Sequence, residues 1–485
     1  MSGPPRRSDD REDAVDQIQK TFAVFDCDAH VNDPEQVWDY VPESKRDLVR
    51  ATYWRNDHEA WLNGRTRVIG GGSGEFTPLY NPACIAGPQM NKKVMRKLMS
   101  MAPLNEEQRS YLLHRGAYDA HARCRDLDLM GIDQVLVIPT NFIQNLPFAT
   151  NVDGVEVLCR AYNDWLVDWC REEPGRLYGA ALLPLQDPER AAREVHRAAE
   201  IGHPVALVRP FDANGAYPND IGTGSASWMA PPSYDLVFRA FEETGLVVGM
   251  HTFPAPRFPH PLGEGHLTSP GELCNKAGCD PQTLSFINEM QVWLAQVLLS
   301  GFLDRYQDLR MAVFESNSQW LPYLLDTCDR LFKLYARERS VKAERLPSEA
   351  FYAQCIISFE SDEVPTFRQW KDFEDIGIWS SDAYHHDGAD VWAAIRNMTR
   401  CGVPPHVQAK MLGENARRAY GIEGKVFVTS EPAPIERPAW FPGGEELEEW
   451  AALVAHPREN MARLREMGMD PDSALAGVQL GGGHR

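Results

Sequence analysis

Val24-Phe25-Asp26-Cys27-Asp28-Ala29-His30 reads as an apolar strand that ends in two acids and a histidine. Residues two apart on a strand share a face, so Asp26, Asp28 and His30 are expected on one side. With Asp28 and His30 turned into a barrel mouth, they form half of a site for a hard metal ion. Three later runs end the same way: Val247-Val248-Gly249-Met250-His251, Met311-Ala312-Val313-Phe314-Glu315 and Ile378-Trp379-Ser380-Ser381-Asp382. Carboxylate, two histidines, a second carboxylate and a further glutamate, each at the C-terminal end of an apolar run, are what a metal-dependent (β/α)₈ hydrolase needs.

The rest of the chain supports a barrel. Short apolar runs alternate with amphipathic stretches, as in successive βα units. The runs are Phe22–Phe25, Gln134–Ile138, Leu177–Leu183, Val205–Val208, Leu246–Met250, Arg310–Phe314, Ile356–Phe359 and Ile376–Trp379. That is eight, and eight parallel strands close a barrel. Helices are expected over Asn151–Cys170, Pro188–Ile201, Ser233–Thr244 and Gln319–Glu338. Pro188 suits a first helical turn.

Two regions exceed a plain barrel. Residues 40–120, between the first two strands, are too long for a simple crossover. They hold Gly70-Gly71-Gly72 and a helical stretch, Met95–Ala122. We expect a lid or wall over the site, because βα loops lie on the active face; an oligomer arm is the alternative. Beyond residue 422, Pro432, Pro434, Pro438 and Pro442 mark a linker, and Glu445–Val454 and Pro457–Met467 look helical. The expected organisation is therefore a disordered tail over 1–20, a barrel over 21–422 with its 40–120 insertion, and a helical extension over 423–485. The loop over 252–280 carries His260 and His266, read as solvated.

Composition narrows the partners. The chain has 485 residues, room for one large barrel with insertions. A net charge of −20 argues against nucleic acid and anionic membrane. No apolar stretch approaches a membrane span, and the polar first twenty residues hold no signal peptide. Ten cysteines show no Cys-x-x-Cys pair, Cys274 and Cys279 being the nearest. A cytoplasmic protein with reduced thiols is expected, with Cys27 and the others as buried filler.

Four stretches resemble the amidohydrolase superfamily, in the branch that includes aminocarboxymuconate-semialdehyde decarboxylase. They are Asp26-Cys27-Asp28-Ala29-His30-Val31-Asn32-Asp33-Pro34; Val208-Arg209-Pro210 with Asn214-Gly215 and then His251; Phe314-Glu315-Ser316-Asn317 with Trp320-Leu321-Pro322-Tyr323; and Ser381-Asp382-Ala383-Tyr384-His385-His386-Asp387-Gly388, closed by Lys410 to Gly421. The resemblance covers about residues 20–422. It implies a metal-dependent TIM barrel and places a carboxylate, Asp28, where the family usually has the first histidine of a His-x-His pair. This Asp-type first strand resembles a sub-branch that includes thioester-cleaving enzymes of natural-product pathways. The bridging lysine of binuclear members is absent: the fourth strand offers only Arg209. Strand six carries Glu315 where decarboxylases often have histidine.

The expected metal ligands are Asp28, His30, His251, Glu315 and Asp382. Mixed oxygen and imidazole donors suit Fe²⁺, Mn²⁺ or Zn²⁺, one or two per subunit. A bound metal lowers the pKa of its water from about 15.7 toward 7. The resemblance makes Asp382 the general base toward that water, with Glu315 a ligand or second acid/base. His385 is read as orienting Asp382. Arg209 clamps a substrate carboxylate or forms a salt bridge. Glu360 lines the pocket; Asp362 and Glu363 are read as solvated. With a lid and walls bearing Trp54, Trp61, Phe148, Phe253 and Phe258, the favoured reading is hydrolysis of an ester or thioester of a bulky carboxylic acid, the substrate a small molecule. The alternatives are non-oxidative decarboxylation of an aromatic or unsaturated acid, and an inactive metal-binding scaffold. A homodimer is expected on base rate.

Overall fold

The computed structural model describes residues 17–31, 35–50, 105, 115–140, 142–143, 146, 149, 151–208, 234–252, 286–339, 343–384, 388–433, 449–450, 452–453, 456 and 458–469. Most of the 40–120 insertion, the loop over 253–285 and most of the chain beyond 433 lie outside these residues. So do Arg209, His385, His260, His266, Trp54, Trp61, Phe148, Phe253 and Phe258.

Eight strands lie in chain order in one sheet: β1 (Phe25–Val31), β2 (Gln134–Pro139), β3 (Leu177–Ala181), β4 (Val205–Val208), β5 (Val247–His251), β6 (Met311–Phe314), β7 (Cys355–Phe359) and β8 (Gly377–Trp379). Every neighbouring pair is parallel. A parallel bridge between Ala29 and Ala383 closes β8 onto β1. The fold is a (β/α)₈ TIM barrel. Strands covered on both faces must be apolar almost throughout, and nearly every strand residue is buried. That is why short continuous apolar runs marked them.

The helices are punctuated by their own residues. The Val152–Arg171 helix is capped by Asn151, whose side chain accepts from the Gly154 amide. The Pro188–Ile201 helix has Asp187 accepting from the Glu189 and Arg190 amides, with Pro188 in its first turn. It ends at Gly202 with φ 110°, a conformation side chains rarely tolerate. The expected Gln319–Glu338 helix is shorter, Leu321–Leu334. Most of the expected Met95–Ala122 helix lies outside the described residues; at its end an Asp119-capped helix runs from Ala120 to Met130. The Ile287–Leu299 helix escaped the sequence reading, because apolar residues nearly all round leave little polar face to mark its period.

The strand expected at Phe22–Phe25 in fact begins at Phe25 and runs through the polar residues to Val31. Below it, at the N-terminal face of the barrel, residues 17–20 lie against 429–431. The Lys20 amide donates to the Thr429 carbonyl at 2.9 Å. Buried Asp133 gathers that corner, accepting from Lys20 Nζ, Val24 N, Phe427 N and Val428 N. Among the described residues no helix is long and apolar enough to cross a membrane. Seven described cysteines are free, and all but Cys401 are buried. Burial pushes the Cys27 thiol well above its usual range, so it stays protonated and is no nucleophile.

Candidate metal centre

Asp28 and His30 lie on β1 and His251 ends β5; all three are buried. One ligand atom from each lies within 4.8 Å of the others. His30 Nε2 is 3.4 Å from Asp28 Oδ1, and His251 Nε2 is 3.6 Å from Asp28 Oδ2. Two atoms each about 2.1 Å from a common ion stand roughly 3.0–3.4 Å apart, so this spacing fits a divalent cation. The two imidazoles meet edge to face, centroids 5.2 Å apart. His251 Nδ1 lies 2.5 Å from the Thr252 carbonyl oxygen, an arrangement that leaves Nε2 as the ligand nitrogen.

Glu315 and Asp382 converge on the same point. Glu315 Oε2 is 3.3 Å from His251 Nε2, and Asp382 Oδ1 is 3.4 Å from His30 Nε2. Glu315 thus stands beside His251 and Asp382 beside His30, at the ends of β6 and β8. The fit can be tested on Asp28. Burial and the neighbouring Asp26 carboxyl push its carboxyl well above the usual carboxylate range. Oδ1 is buried and accepts no hydrogen bond among the described residues. Such a group demands a positive charge, and a divalent cation beside it supplies that charge.

Asp26 does not join the cluster, although alternation put it on the same face. The β1 register slips between Asp26 and Ala29, a bulge that re-aims the side chains. Asp26 instead accepts from the Ser381 amide at 2.9 Å, the Ser381 hydroxyl at 2.5 Å and the Asp28 amide at 3.1 Å. Burial raises its pKa to about 7 against these donors. Ser381 Oγ in turn accepts from the Ala383 amide, and the Asp382 amide donates to the Asp28 carbonyl at 3.0 Å. The β8 end is thus laced to β1. Arg123, fully buried, donates to the His30 carbonyl and lies over the Tyr384 ring at 3.9 Å, while the Tyr384 hydroxyl donates to Asp126.

The expectation for Glu363 needs correction. It is 5 % exposed and is not solvated. It accepts from Ser318 N, Ser318 Oγ, Thr366 Oγ1, Glu360 N and Asn317 Nδ2. Burial raises its pKa, and the donors from Ser318, Glu360 and Asn317 oppose that rise. Asp362 is exposed as expected, and Glu360 is half-buried. Nothing in the local pattern of Glu360-Ser361-Asp362-Glu363 sets the buried acid apart, because three of its five donors come from a different loop.

Comparison with known proteins corrects the chemistry. A family model described as Amidohydrolase matches residues 139–422. The curated relatives include a gamma-resorcylate decarboxylase of Polaromonas sp. (strain JS666 / ATCC BAA-500), 29% identical over 208 residues, 41% of this chain and 56% of that protein. Another, of Rhodococcus jostii (strain RHA1), is 26% identical over 212 residues, 41% of this chain and 59% of that protein. The match thus spans little more than half the length of these relatives. Among solved structures, 5-carboxyvanillate decarboxylase from Novosphingobium aromaticivorans with bound manganese aligns at TM-score 0.55 and 18% identity, over 82% of this chain and 97% of that one. The 2,6-dihydroxybenzoate decarboxylase from Rhizobium aligns at 0.51 and 17%, over 83% and 100%. These structural likenesses are of fold. The hydrolase expectation, and its thioesterase form, is overturned, because the relatives are decarboxylases of aromatic acids. Glu315 in place of histidine misled that expectation, since a carboxylic acid can carry a proton as an imidazolium does. With the family model covering more than half of the chain, the protein belongs to the amidohydrolase family and is an enzyme of that superfamily.

Proposed function

We propose that this enzyme catalyses metal-dependent, non-oxidative decarboxylation of a hydroxy-substituted aromatic acid. One observation carries the reading. A buried Asp28–His30–His251 cluster, with two further carboxylates within 3.4 Å of its histidines, stands at the mouth of a barrel whose curated relatives are gamma-resorcylate decarboxylases. Asp28, His30 and His251 hold the divalent ion, and Asp382 completes the set beside His30. When bound, the ion would supply Lewis-acid charge toward an anionic substrate.

The remaining work belongs to a proton donor. We assign it to Glu315, whose side chain is 12 % exposed against 6 % for Asp382, and so reaches further toward incoming substrate. Its carboxylic acid gives a proton to the ring carbon that bears the carboxylate. The bond from that carbon to the carboxylate then breaks, its electron pair restores the aromatic ring, and carbon dioxide leaves. One C–H bond forms and one C–C bond breaks, so the reaction needs no oxidant or reductant. Burial of the site strengthens these charged contacts. The protein is proposed to act as a homodimer, which sedimentation would check.

The test is carbon dioxide release from 2,6-dihydroxybenzoate and 5-carboxyvanillate by manganese-loaded protein. Release that stops on chelation and returns with Mn²⁺ is expected. No release from any hydroxybenzoate at full metal loading would refute the reading.

A further inference from the structure

Glu315 and Asn317 follow β6 with φ of 45° and 54°. Neither is glycine, and a left-handed residue of this kind is strained. Such a turn persists only where its surroundings hold it. The Glu315 amide donates to Ser358 Oγ at 3.1 Å, on β7. The Ser316 carbonyl accepts from Trp320 Nε1 at 2.7 Å. The largest share of the holding comes from Glu363, in the loop after β7.

Its two oxygens divide the work. Oε2 takes the Ser318 amide at 2.9 Å and the hydroxyls of Ser318 and Thr366, each at 3.0 Å. Oε1 takes the Glu360 amide at 3.0 Å and the Asn317 side-chain amide at 3.3 Å. All five neighbours can donate, which matches an ionised carboxylate, a group that only accepts. Three of the five belong to the strained turn that carries Glu315, and two to the Glu363 loop itself.

We infer that Glu363 is a positioning residue for Glu315: a buried carboxylate that holds the left-handed β6 turn so that Glu315 faces the metal site. The inference rests on the decarboxylase reading for the role of Glu315, but the clamp itself can be measured without it. Glu363→Gln keeps the shape and sets an amide donor against neighbouring donors. Thr366→Val removes one bond to Glu363 and the 2.8 Å contact of the Thr366 hydroxyl with Ser318 Oγ, leaves the carboxylate itself in place, and serves where Glu363→Gln folds poorly.

The experiment compares both variants with wild type, manganese-loaded, by hydrogen exchange of a peptide spanning 314–320, by bound manganese, and by kcat and KM on 2,6-dihydroxybenzoate. Faster exchange confined to that peptide is expected, with manganese at the wild-type level. We expect kcat to fall about 10–100-fold, the usual range for partners one step removed from the reacting groups, with KM within about threefold and Thr366→Val intermediate. Unchanged exchange at 314–320 overturns the inference, as does exchange that quickens evenly over the barrel or a kcat that holds while exchange rises. If wild type releases no carbon dioxide, the decarboxylase reading falls, and the clamp stands or falls on exchange and manganese content alone.

Discussion

Asp28, His30 and His251 lie within the strands β1 and β5, whereas Glu315 and Asp382 lie just beyond β6 and β8 on residues with φ of 45° and 47°. The first three are aimed by the sheet itself. Ladder pairing fixes the backbone of His30 and His251, and Asp28 sits beside them in the stretch where the β1 register shifts. The other two have left the sheet. The β6 turn is held by the side chains of Glu363 and Ser358, and the β8 end by Asp26 through Ser381 together with the bond from the Asp382 amide to the Asp28 carbonyl. One half of the site is as stable as the barrel, and the other is as precise as its clamps. A metal needs a rigid cage, and the strand-held half supplies one. On the proposed reading, acids that act on substrate need close placement past the strand ends, and turns held by buried carboxylates would provide it.

The contrast can be broken most forcefully at Asp28. Asp28→Ala should strip the bound metal and lower activity by at least about 10³-fold, because the metal contributes several kcal/mol. Elemental analysis of purified protein reads the first effect directly. Retention of full metal by the variant would move the cage away from the strand-held half.

Acid should act on both halves together, through the barrel wall. His203 is buried between the Gly179 and Asn163 carbonyls, and burial lowers its pKa to about 4. An unfolded histidine has a pKa near 6.5, so between about 6.5 and 4 the unfolded chain binds the extra proton. Stability from this group is complete above about pH 6.5 and declines as pH falls toward 4, by about 3 kcal/mol in all. Urea unfolding of wild type and His203→Gln across that range checks it. A wild-type stability no more acid-sensitive than that of the variant would remove His203 from the account.

Asp26→Ala sharpens the comparison from the clamp side. It leaves the Ser381 and Asp28 amides without their side-chain acceptor and loosens the turn under Asp382, while Asp28, His30 and His251 keep their donor atoms. A loss of about 10–100-fold in kcat is expected with most of the metal retained. Two acids two residues apart would then give opposite metal readouts. Metal loss equal to that of Asp28→Ala would show that the two halves are not separable.

Much of the barrel was legible because its strands are short and buried on both faces, so each appears as an isolated apolar run. Val205–Val208 matches the structure residue for residue, and the others differ at their ends. Asp28, His30 and His251 were legible as neighbours because active residues of this fold sit at strand ends, and these three cluster there. Asp26 was misread because a bulge cannot be seen in an alternating pattern. Glu363 was misread because exposed and clamping acids look alike in a polar loop. Arg209 and His385 lie outside the described residues, so their expected roles stand as proposals.

The sequence by itself determined the eightfold repeat, the barrel and the strand ends at which Asp28, His30 and His251 stand, because these follow from local periodicity and from residues that close strands. Only the tertiary structure decided which acids are clamps and which face the site, because contacts such as Ser381 to Asp26 or Ser318 to Glu363 join residues far apart in the chain. The reaction lay beyond both. The same carboxylates and imidazoles can activate water or deliver a proton, and kinship with decarboxylases, not the donor set, overturned hydrolysis.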